Sequence, residues 1–128
     1  MKRFFSNSKT IKDITASQKS NNNLLYFVPK WPVQRKSAAC ERVITILKLF
    51  LKNNWNITLL SPQNKNRSDN LSMPGINQIS LDPNNYREAD KFFNRYEYVP
   101  NVSLFDTFIS EEKYSHFVHR KFPDCLKV

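Results

Sequence analysis

The sequence predicts an α/β domain with a mostly parallel sheet flanked by helices, and three observations predict it. Short apolar runs alternate with longer stretches of helical spacing, in the order βαββαβαβ. The first run, "LLYFV" at Leu24–Val28, is continuously apolar, the mark of a strand buried on both faces. The chain has 128 residues, 40% of them hydrophobic, which suits one domain with a packed core.

Each element can be justified in order. Pro29 and Pro32 end the first strand. Ser37 is placed to cap a helix in which Ala39, Val43, Ile46, Leu47 and Phe50 recur at helical spacing. Lys48 and Lys52 sit away from that stripe, and Asn53-Asn54 is a C-terminal stop signal. "WNITLLSP", Trp55–Pro62, reads as the second strand. "QNKNRSDNLSMPG", Gln63–Gly75, is a polar loop that holds the only glycine of the chain. "INQISL", Ile76–Leu81, reads as the third strand.

Asp82-Pro83-Asn84 is expected to start a turn and cap the second helix. The apolar face of that helix is Tyr86, Ala89, Phe92, Phe93 and Tyr96. "VPNVSLF", Val99–Phe105, gives the fourth strand, with Pro100 at its start where it costs no ladder bond. Ser110 is the expected cap of the third helix, with Glu111 and Glu112 in the first turn, where carboxylates suit the dipole. Tyr114, Phe117, Val118 and Phe122 form its inward stripe. Pro123-Asp124 ends it, and "CLKV" begins a strand-like fifth segment. Together these describe a single Rossmann-like domain over residues 24–128. A last strand of four residues is an odd finish, so the domain is expected to be the front part of a longer protein.

Formal net charge is +9, which by itself suggests nucleic acid or an acidic membrane surface. Its distribution argues otherwise. Residues 1–36 hold eight Lys/Arg and one Asp, a net of +7, and residues 37–128 hold twelve against ten, a net of +2. Residues 1–23 read as a disordered basic leader; their serines and scarcity of acids also fit a mitochondrial transit peptide. The localisation expected is cytoplasmic, with mitochondrial the alternative. No run approaches the length of a membrane-spanning helix. Cys40 and Cys125 form no CxxC and read as reduced apolar fillers. Four N-x-[ST] triplets, such as Asn56-Ile57-Thr58, read as chance matches in an asparagine-rich chain.

Some chemistries are excluded. Dinucleotide binding needs glycines after the first strand, and none lies between Pro29 and Arg42. The G-x-x-x-x-G-K-[ST] phosphate loop is absent too. His116 and His119 lie three apart on one helix but lack a third ligand, and no metal is expected. In an open parallel sheet, ligands bind beyond the carboxyl ends of the strands. Lys30, Trp31, Arg35, Lys36 and Ser37 lie at one such end, and Asp106 and Thr107 at another. Asp106 suits a turn or cap equally well, and Arg35 and Lys36 suit a solvated loop.

Three stretches resemble the N-terminal domain of group 1, bacterial-type glycosyltransferases of the GT-B fold. They are "YFVPKWPVQRKSAACERVITILKLF", "WNITLLSP" and "VSLFDTFISEEKYSHFVHRKFPDCLKV". The matching positions are Trp31-Pro32, Lys36-Ser37-Ala38-Ala39, Asp106-Thr107-Phe108 with Glu111-Glu112, and Pro123 to Val128. The resemblance implies two Rossmann-like domains facing across a cleft, of which this is the acceptor side. Lys30–Ser37 and Asp106–Phe108 would line that cleft. Cys40 stands where the family has a small residue such as glycine. The donor-binding domain and its paired acidic motif are not in these residues.

The resemblance thus implies no cofactor in this chain, with a nucleotide sugar entering only in a full-length parent. It implies as partner a second Rossmann-like domain, on the same or a separate chain, and no sugar transfer by these residues alone. The alternative is a small non-catalytic Rossmann-like module that binds an anion or a protein. A nucleic-acid binder is disfavoured by the near-neutral charge after residue 36.

Overall fold

A computed structural model describes residues 22–32, 37–64, 71 and 73–128. It contains five strands and three helices: β1 (Asn23–Phe27), α1 (Ala38–Lys52), β2 (Asn56–Ser61), β3 (Ile76–Ser80), α2 (Tyr86–Arg95), β4 (Val102–Phe105), α3 (Phe108–Lys121) and β5 (Leu126–Lys127). The strands form one sheet in the order β3-β2-β1-β4-β5, and every neighbouring pair is parallel. The fold is a single Rossmann-like α/β domain. The leader, through residue 21, lies outside the described residues.

β1 is the centre of the sheet and is wholly buried. Its alternating side chains divide the core in two. Leu24, Tyr26 and Val28 face α1, with Val43, Leu47, Ile57 and Leu59. Leu25 and Phe27 face α2 and α3, with Leu60, Phe93, Tyr114, Phe117 and Val118. β1 to β2 and β4 to β5 step across the sheet in opposite directions. Crossovers of one hand must therefore place α1 and α3 on opposite faces, as found.

The element boundaries refine the expectations. Val99 is exposed and β4 starts only at Val102. Ala39 is exposed, so the buried stripe of α1 begins at Val43. Tyr86 is also largely exposed and leaves the buried face of α2 to Ala89 and Phe93. Asn85 caps α2, its side chain accepting from the Glu88 amide, while Asp82 accepts from the Asn84 amide in the turn before it.

The cap of α3 is Thr107, not Ser110. Thr107 is extended and accepts from the Ser110 amide at 3.1 Å. Ser110 is buried inside the first turn and accepts from the Thr107 hydroxyl. Either residue type can cap, but only Thr107 has the extended backbone that a cap requires. The strand-like "CLKV" becomes β5, paired with β4 through Leu126 and Lys127. Gly75 sits at φ +94°, and a Cβ there would lie 3.1 Å from Leu51 Cδ2, so the single glycine stands where any other residue would strain the turn into β3 and crowd Leu51.

Candidate functional site at the carboxyl end of the sheet

The chain turns back on itself between β1 and β4. β1 leads outward to β2 and β3, and β4 leads to β5 on the other side. The gap between the carboxyl ends of β1 and β4 is therefore the topological switch point, where open α/β sheets take their ligands. Three side chains meet there. Asp106, just past β4, is anchored by its amide to the Phe27 carbonyl at 2.9 Å. Its carboxylate accepts from the Tyr26 hydroxyl at 3.1 Å. It also accepts from Arg42 through Nε at 3.3 Å and Nη2 at 2.8 Å.

This arrangement ties β1, α1 and β4 together. Asp106 is 5% exposed and Arg42 is half exposed, so the pair is sealed on the carboxylate side and open on the guanidinium side. Burial, the Asp106 charge and its hydrogen bond all hold the Tyr26 hydroxyl well above the ordinary tyrosine range. Tyr26 is thus a neutral donor at every physiological pH. Asp106 uses three of its roughly four acceptor positions within the fold, which makes it a strut of the switch point rather than a free base.

The other expected site residues are spread around this strut. Lys30 is exposed on the bend after β1. Trp31 is buried in the core beneath that bend, and its amide donates to Gln63 Oε1 at 3.0 Å. Its indole Nε1 is buried with no hydrogen-bond partner among the described residues, whereas a buried indole N–H ordinarily finds one. Ser37 caps α1 by accepting from the Cys40 amide. The N-terminal amides of a fifteen-residue helix therefore open on the same end of the sheet. Arg35 and Lys36 lie outside the described residues. Thr107 is spent as a cap, and Phe108 beside it is 77% exposed.

Tyr26 and Arg42 are the two site residues that sequence reasoning missed. A tyrosine inside a continuously apolar strand was the available signal, because a buried hydroxyl requires an acceptor. His116 and His119 are exposed on α3, and His116 packs its ring on Phe117 at 4.1 Å between centroids. No cluster of three metal-ligating side chains occurs among the described residues. Nor is any described helix long and apolar enough to cross a membrane.

The chain matches no protein-family model, no curated protein and no solved structure.

Proposed function

We propose that these residues form the acceptor-side, N-terminal domain of a GT-B-type glycosyltransferase, without transfer activity by themselves. The observation that carries the reading is the apolar surface left at the carboxyl end of the sheet and beside it. Phe108 and Ile109 are exposed where α3 begins, at the end of the sheet that a facing domain would cover. Leu126 is 61% exposed and Val128 62%, beside the half-buried Val102 of β4. Exposed large apolar residues of this kind suit surfaces that another body covers. In a full-length parent, the activated sugar and the stabilisation of its leaving phosphate belong to that second body.

A second reading has its own support. The unpartnered Trp31 indole N–H and the open amides at the start of α1 suit a small anion, as expected of a non-catalytic Rossmann-like module.

Amide NMR of the purified chain separates the two. Titration with uridine and guanosine diphosphate sugars should give no saturable shifts, because the donor pocket lies in the other domain. Saturable shifts at Lys30, Thr107 and Phe108 with such a donor would overturn the first reading. Saturable shifts at Trp31 and Ser37 with inorganic phosphate, lost in Trp31→Phe, would establish the second.

A further inference from the structure

We draw no further inference here: the strongest candidate, the groove between α2 and the edge strand β3, has Glu88 and Glu97 beside Lys91 and Arg95 around its apolar floor, and nothing in the structure shows what covers it.

Discussion

The two faces of the sheet are finished to different degrees. One is covered by two helices, and its core is aromatic: Phe27 stacks on Tyr114 at 4.7 Å and on Phe105 at 5.1 Å, and Phe93 stacks on Phe117 at 5.5 Å. The other is covered by α1 over β1 and β2, with Leu71 and Met73 packed beside it. Over β4 and β5 this second face ends in exposed Leu126 and Val128. The difference teaches where stability is stored and where apolar surface is left over. The aromatic face closes on itself, whereas the α1 face leaves Leu126 and Val128 exposed.

The largest effect expected is therefore on the closed face. Phe117→Ala should cost about 3–5 kcal/mol, because Phe117 is buried among rings that cannot collapse into the space. Urea unfolding measures this, and a loss below about 1 kcal/mol would mean that the stack is loose.

The strut at the switch point comes next. Asp106→Ala should cost about 1–3 kcal/mol, since it leaves the buried Tyr26 hydroxyl without its acceptor. Arg42→Ala should cost clearly less, because Arg42 is half exposed and solvent replaces its partner. Equal losses from the two would contradict the division between a sealed and an open side of the pair.

Alkali should distinguish the faces more gently. Tyr26 on one face and Tyr96 and Tyr114 on the other all titrate above their ordinary range, chiefly because they are buried. A raised folded-state value means that the native protein holds its protons more tightly than the unfolded chain. The stabilisation is complete below the unfolded value of about 10 and is lost as pH rises through the folded values. The urea midpoint should fall above about pH 10, less steeply in Tyr114→Phe. A flat alkaline profile would mean that these hydroxyls are not buried.

The smallest effect belongs to the bare half-face. Leu126→Lys should change stability by less than about 0.5 kcal/mol and should raise solubility. A large loss would show that Leu126 is already packed.

Much of this architecture is legible in the sequence, because strand and helix periodicities report burial directly. "LLYFV" reads as a two-sided buried strand, and the stripe Tyr114, Phe117, Val118 and Phe122 is buried as its spacing indicates. Strand order was not legible, since no local signal says that β4 returns to the far side of β1. For the same reason the meeting of Tyr26, Arg42 and Asp106 was hidden: the outer two are 80 residues apart in the chain. The Thr107 cap was missed because Ser110 with Glu111 and Glu112 imitates a start signal, and only the backbone angle at residue 107 decides between them. At Trp31, a W-P dipeptide after a strand suggests a cleft residue, yet the indole is large and apolar enough to fill the core beneath the bend.

The most direct test of the acceptor-side reading is the transcript sequence past the codon for Val128. The account predicts an open frame running on for roughly another domain's length, with the strand and helix periodicity of a second α/β unit. A stop codon immediately after Val128 would contradict the same-chain form of this reading and leave the exposed surface at Phe108, Leu126 and Val128 without a domain on this chain to cover it.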